Sequence, residues 1–212
     1  MPLVSLEKVN FPVWCEVKQA GLFSLQSGEE KTFHPAQVKE MLLVCSGQLL
    51  VETDSFSACL REGSYLIFQP GEIPPFRTKG LASATRVLQV AGNWQALSGA
   101  GLFTVRNGKP PVGDSPYQYW KTTTCDNHYH DSDAYWVILQ GRCRVASEGK
   151  FYEVKPGDCV VTGRGWHHDI VSLIYDESVT VAWITGTLEG KKRPGHLHEP
   201  THGPAEPDAR KV

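Results

Sequence analysis

Short apolar runs, separated about every 8 to 12 residues by turn residues, fill most of the chain, and helical periodicity is nearly absent. That pattern predicts an all-β protein of the sandwich or barrel type. Strands are expected at Met41–Cys45, Leu49–Glu52, Tyr65–Phe68 and Thr85–Val90, with Ser46-Gly47, Glu62-Gly63 and Pro70-Gly71 as punctuation. A second series is expected at Tyr119–Thr123, Tyr135–Leu139, Arg142–Ala146, Tyr152–Val154, Cys159–Thr162, Ile170–Ile174 and Thr180–Thr185. Between the two series, Ala91–Gly101 could hold a short helix, and Asn107–Ser115 reads as an exposed Gly/Pro loop. From Gly190 onward the chain is polar and Pro-rich, the composition of an arm or a partly disordered tail.

Laid on the first half, the second half repeats it. His34 and His128 are 94 positions apart, as are Gly47 and Gly141, Gly63 and Gly157, and Gly71 and Gly165. Apolar residues match at the same offset: Val44 with Ile138, Val51 with Val145, Leu66 with Val160. Two copies of one β module are therefore expected, at roughly residues 15–95 and 110–188.

Composition narrows the functional classes. With 212 residues, 21 Lys plus Arg and 23 Asp plus Glu, the chain has core-forming length and no basic footprint for nucleic acid or an anionic membrane. Charges at Glu7, Lys8, Glu16 and Lys18 interrupt any signal-peptide core, and no run is long and apolar enough for a spanning helix. The six cysteines show no Cys-x-x-Cys and lie in apolar contexts, as free thiols of a reducing compartment would. A cytoplasmic protein is expected.

The chemistry concentrates between His128 and His168. His128 and His130, spaced i, i+2, share a strand face because side chains alternate across the pleat. A third histidine from another strand, His168, would complete a three-nitrogen metal site, neutral imidazole being the commonest metal ligand. The competing reading is a polar patch on a strand. His167, next to His168, should point the opposite way. No Gly-x-Ser-x-Gly elbow is present, and Cys125, three residues before His128, reads as core or as a peripheral thiol.

These residues resemble the two motifs of the cupin superfamily, Gly-x5-His-x-His-x3,4-Glu-x6-Gly and Gly-x5-Pro-x-Gly-x2-His-x3-Asn. His128, His130 and Gly141 match the first; Gly157, Gly165 and His168 match the second, with Gly163 at the usual proline and Ser172 at the usual asparagine. The resemblance implies two double-stranded β-helix (jelly-roll) barrels in one chain, a bicupin, with a divalent metal at the mouth of the second. Domains are expected at 1–105 (with an N-terminal arm), 106–189 and a 190–212 tail.

Two departures from the motifs matter. The position of the family's glutamate ligand, seven before Gly141, is Ala134, whose methyl cannot bind metal. Asp131 or Asp133 could substitute only if the turn after His130 bulges. A site of three histidines plus water would favour Zn, Ni or Fe over the harder Mn. In the first module Glu40 and His34 occupy ligand positions, but Ala36 and Pro74 replace the other two, so that module is expected to be a structural or dimerising lid.

Trp136, Gln140, His167 and Asp133 are candidate substrate contacts, Trp136 equally a core residue. His196, His198 and His202 in the tail suggest a solvated loop, a second metal site or an arm over the barrel. Two functional readings follow. One is a metal-dependent enzyme on a small polar substrate, carbohydrate-derived by preference, isomerase- or epimerase-like or a dioxygenase. The other is a non-catalytic bicupin whose active site has decayed. The carbohydrate preference comes from resemblance to small bacterial cupins that look sugar-associated. The family also implies a homodimer, with Leu3–Trp14 as an arm.

Overall fold

A computed structural model describes residues 3–7, 10–34, 38–71, 75–110, 116–188, 190–191 and 193–212. The positions of Ala36 and Pro74, and part of the proline-rich stretch beside Pro74, lie outside the described residues. The strands are β1 (Leu3–Ser5), β2 (Val17–Leu25), β3 (Glu30–Phe33), β4 (Lys39–Ser46), β5 (Gln48–Glu52), β6 (Ser57–Arg61), β7 (Tyr65–Phe68) and β8 (Phe76–Gly80). They continue as β9 (Thr85–Gly92), β10 (Gly99–Arg106), β11 (Ala134–Gln140), β12 (Cys143–Ser147), β13 (Lys150–Val154), β14 (Asp158–Thr162), β15 (His168–Leu173) and β16 (Ser178–Thr185). One short helix, α1 (Glu199–His202), follows. No helix among the described residues is long and apolar enough to cross a membrane.

The chain divides into two compact units, each a jelly-roll barrel of two sheets. The N-terminal unit pairs its strands in the orders β2-β9-β4-β7 and β3-β8-β5-β6. Its core gathers Leu42, Val44, Leu49, Val51, Phe68, Phe76 and Val87. The C-terminal unit has the orders β1-β14-β11-β16-β10 and β13-β12-β15, around Trp136, Ile138, Val145, Val160, Ile170 and Val181. Central strands β4 and β11 are buried on both faces along nearly their whole length, which is why they read as continuous apolar runs. Strand β13, which pairs on one side only, keeps its polar residues exposed.

The 94-residue repeat recurs in backbone geometry. Strand β4 slips register against β9 between Val44 and Ser46; β11 slips against β16 between Ile138 and Gln140. Gly47 follows the first bulge at φ +78° and Gly141 the second at φ +77°. A Cβ there would meet the Ala84 carbonyl at 2.7 Å or the Ser178 carbonyl at 2.3 Å, so only glycine fits.

Four expectations change. The unit boundary falls between Trp94 and Gln95, ahead of the expected 105/106, because β10 pairs along its full length with β16. Ala91–Gly101 holds no helix: it is the end of β9, a loop and the start of β10. Tyr119–Thr123 is no strand either; among the described residues it makes the isolated bridge Asn107↔Thr123. The N-terminal segment is not a free arm, since β1 pairs antiparallel with β14 of its own chain and occupies that sheet edge. The six cysteines are free, Cys59 alone of them exposed.

Candidate metal centre

The centre is built where the run 128–130 is held on both sides by backbone pairing. His128 and His168 form an antiparallel bridge, with His168 N–H donating to His128 O (2.9 Å) and His128 N–H to His168 O (3.3 Å). Directly opposed residues in such a pair carry their side chains on one face. On the other edge Tyr129 exchanges two 3.0 Å backbone bonds with Leu197. Alternation then sends His128 and His130 one way and Tyr129 the other. The ligand atoms of His128, His130 and His168 lie within 4.8 Å of one another, and all three residues are buried.

The chemistry of the three rings fits a metal. His128 Nδ1 lies 3.1 Å from Asp126 O, His130 Nδ1 2.8 Å from Gly195 O, and His168 Nδ1 3.3 Å from Trp166 O. A carbonyl only accepts, so each Nδ1 carries the hydrogen and each Nε2 keeps its lone pair. The Nε2 atoms of His128 and His168 are buried and have no hydrogen-bond partner among the described residues. Unsatisfied buried acceptors are rare, and a carbonyl on the far nitrogen is the usual support of a metal-bound imidazole. Burial lowers the pKa of all three, assisted at His130 by the charge of His128 and at His168 by those of His128 and His130. The rings are thereby held in the neutral form that binds metal.

Ala134 starts β11 opposite Thr162 and Thr185 and is buried. Neither nearby carboxylate takes the place of its missing ligand. Asp131 is gripped by Arg193 through Nε (2.7 Å) and Nη2 (2.8 Å). Asp133 accepts from Arg164 N (3.0 Å) and Lys211 Nζ (3.0 and 3.1 Å).

Beside the histidines lies a cavity of about 450 Å³, within the ordinary range of ligand sites. His128 and His130 line it, with Phe103, Val105, Trp136 and Trp183 forming an apolar wall, and among the described residues no lysine or arginine does. Trp183 can lie flat because Gly99 and Gly101 on β10 stand beneath it; a Cβ at Gly99 would meet its ring at 2.9 Å. Asp126 and His196 occupy the rim, His196 stacked on His128 at 3.8 Å between centroids and 6° between planes.

Of the other anticipated contacts, only Trp136 lines the cavity. Gln140 is exposed just past the β11 bulge, which turns it out of the interior parity of Trp136 and Ile138. His167 sits on the Tyr129 side, its ring 5.2 Å from that of Tyr129 and its Nε2 3.8 Å from Glu199 Oε1. Asp133 is committed to Lys211 and the backbone of Arg164.

Sequence reasoning missed Asp126, and it left the tail open between a solvated loop, a second metal site and an arm over the barrel. Asp126 Oδ2 is 2.9 Å from both His196 Nδ1 and His198 Nε2. The tail is no solvated loop: Leu197 is buried, and Gly203 O accepts from Tyr129 Oη at 2.7 Å. Its His-x-His was a visible signal, but sequence distance hid its place. Lys121 and Tyr119 also find a face, both donating to the fully buried carboxylate of Asp169 at 2.7–3.0 Å.

Comparison with known proteins fits this architecture. A family model described as "Cupin domain" matches residues 117–185. A protein of Sinorhizobium fredii described as "Uncharacterized protein y4oW" is 39% identical over 197 residues, covering 92% of this chain and 89% of its own. Oxalate decarboxylase from Bacillus subtilis superposes with a TM-score of 0.59 at 12% identity, covering 92% of this chain and 73% of that one. AerE from Microcystis aeruginosa gives a TM-score of 0.55 at 11% identity, covering 81% and 90%. Identities this low speak for the fold alone.

Proposed function

The chain belongs to the cupin superfamily, and on that premise we propose that it is a metal-dependent enzyme whose centre is His128, His130 and His168. The observation that carries the reading is the set of three neutral imidazoles, each with Nδ1 on a carbonyl, two with a buried unsatisfied Nε2, beside a ligand-sized cavity. Three nitrogen donors without a carboxylate suit Zn²⁺, Ni²⁺ or Fe²⁺ better than a hard ion. Such an ion supplies Lewis acidity toward a substrate oxygen, or activates a small bound molecule, at coordination positions the protein leaves open.

The chain's own residues then define the substrate. Phe103, Trp136 and Trp183 give an apolar, ring-lined wall, and Ser98, Thr185 and His196 offer polar contacts. This favours a small substrate with a polar end at the histidines and an apolar body over the densely hydroxylated carbohydrate that resemblance suggested.

A second reading, a non-catalytic binding protein, draws on Ala134 at the glutamate position. Metal content of protein purified without added metal, beside a His128→Ala/His168→Ala variant, tests the first reading. About one ion per chain, absent from the variant, is expected; a metal-free chain that takes up none on incubation overturns it. Metal that stays bound, and a small molecule that displaces its water without being turned over, favour the binding protein.

A further inference from the structure

We propose that the C-terminal segment from Arg193 to Gly203 is a working part of the metal centre, with the Arg193–Asp131 ion pair positioning His130 by holding the Gly195 carbonyl against its Nδ1. The inference rests on the reading of the three histidines as a metal centre.

The three imidazoles are oriented by unequal means. The acceptors for His128 and His168 are the carbonyls of Asp126 and Trp166, each two residues earlier in the chain. Local backbone geometry keeps those acceptors near their rings, with the Asp126 carboxylate a further 3.5 Å from His128 Nδ1. For His130 the carbonyl two residues earlier is that of His128, which is aimed at His168 N in the bridge. His130 turns instead to Gly195 O, 65 positions away in sequence, and makes the shortest of the three contacts, 2.8 Å. A contact made over that separation exists only while the tail is docked.

Four independent anchors dock it. Arg193 grips Asp131, immediately after His130, through two nitrogens at 2.7 and 2.8 Å, and its Nη1 donates to His202 O at 2.8 Å. Leu197 pairs with Tyr129, immediately before His130, through two backbone bonds. Tyr129 Oη donates to Gly203 O, and the imidazoles of His196 and His198 both reach Asp126 Oδ2. Arg193 stands two residues before Gly195, on the side of it that none of the other anchors holds. The bidentate fork fixes both distance and plane, which a lysine could not do. Asp131 therefore serves the centre without touching an ion.

The test uses the full chain, with Zn²⁺ affinity measured by chelator competition, the visible spectrum of the Co²⁺-loaded protein, and the melting temperature of the metal-free protein. Arg193→Met is expected to weaken Zn²⁺ binding about 10- to 100-fold, the usual consequence of losing an outer support of a ligand, and to change the Co²⁺ spectrum. Arg193→Lys should recover part of the affinity. Lys191→Met, which breaks the solvent-facing Lys191–Glu206 pair flanking the segment, should leave affinity unchanged. Tyr129→Phe removes a second anchor and should act in the same direction as Arg193→Met, so the test survives if that variant fails to fold.

Unchanged Zn²⁺ affinity and Co²⁺ spectrum in Arg193→Met overturn the proposal, and a lowered melting temperature with unaltered affinity does so too, since it marks a merely structural tail. An unsubstituted chain that binds neither Zn²⁺ nor Co²⁺ removes the three-histidine reading itself. That failure is distinct from a wild-type site indifferent to Arg193.

Discussion

In the N-terminal barrel, Phe76 stacks on Phe68 at 4.2 Å and on Phe33 at 5.1 Å. At the positions 94 residues on, the C-terminal barrel has Ile170, Thr162 and Asn127. The two barrels share their bulge, its following glycine and the pairing of their central strands: Leu42 faces Leu66, and Trp136 faces Val160. They differ in what fills the frame. Aromatic rings close the first into ordinary core, whereas in the second His128 and His130 border a cavity. His34, the counterpart of His128, is exposed, and Glu40, the counterpart of Ala134, is buried. The comparison separates frame from contents: backbone devices at fixed spacing set the barrel, and a few interior side chains decide whether it packs or binds.

The sharpest way to break this contrast is at the ligands. His128→Ala/His168→Ala should abolish stoichiometric metal, while His34→Ala leaves the metal content unchanged; metal lost from the His34 variant would put chemistry in the first barrel. Next in size is Phe76→Ala, which empties a fully buried, doubly stacked position and should cost about 3–5 kcal/mol in denaturant unfolding. Its metal affinity should not move if the first barrel is a packed scaffold. Gly141→Ala and Gly47→Ala probe what the barrels share. Each forces a side chain into the left-handed region against a carbonyl and should cost about 2–3 kcal/mol. A harmless Gly47→Ala beside a damaging Gly141→Ala would show that the bulge serves the site rather than the frame.

Spread across pH rather than set by one substitution is the acid sensitivity of the metal-free protein. Burial holds His128, His130 and His168 below their ordinary pKa, so the unfolded chain binds more protons once the pH falls below about 6.5. Stability is therefore fully present above that pH and lost as pH falls below it, by at most about 1.4 kcal/mol per pH unit for each histidine. Denaturant melts at a series of pH values from 8 to 5 check this. Bound metal should delay the loss, because it competes with the proton for Nε2.

Much of this was readable in the chain. Short apolar runs between turn residues, with glycines at one constant offset, revealed two β modules, because each bulge needs its glycine at one place and each buried strand its apolar run. His128, His130 and His168 were legible for a similar reason: strand alternation is local, and it assigns faces without further knowledge. The same logic set His167 apart from His168. Gln140 escaped it, because a bulge between Ile138 and Gln140 resets parity and no residue type announces that.

What the sequence determined by itself is thus the all-β architecture, the duplication, and the three imidazoles that share one face. Those follow from interactions between near neighbours and from periodicity. Tertiary structure alone decided that β10 belongs to the second barrel, that Asp131 and Asp133 are bound to Arg193 and Lys211, and that Phe103 and Trp183 wall a cavity beside His128. It also placed Gly195 and His196 against ligands more than sixty residues earlier. Such contacts join segments remote in the chain, and composition and spacing carry no record of which remote segments meet.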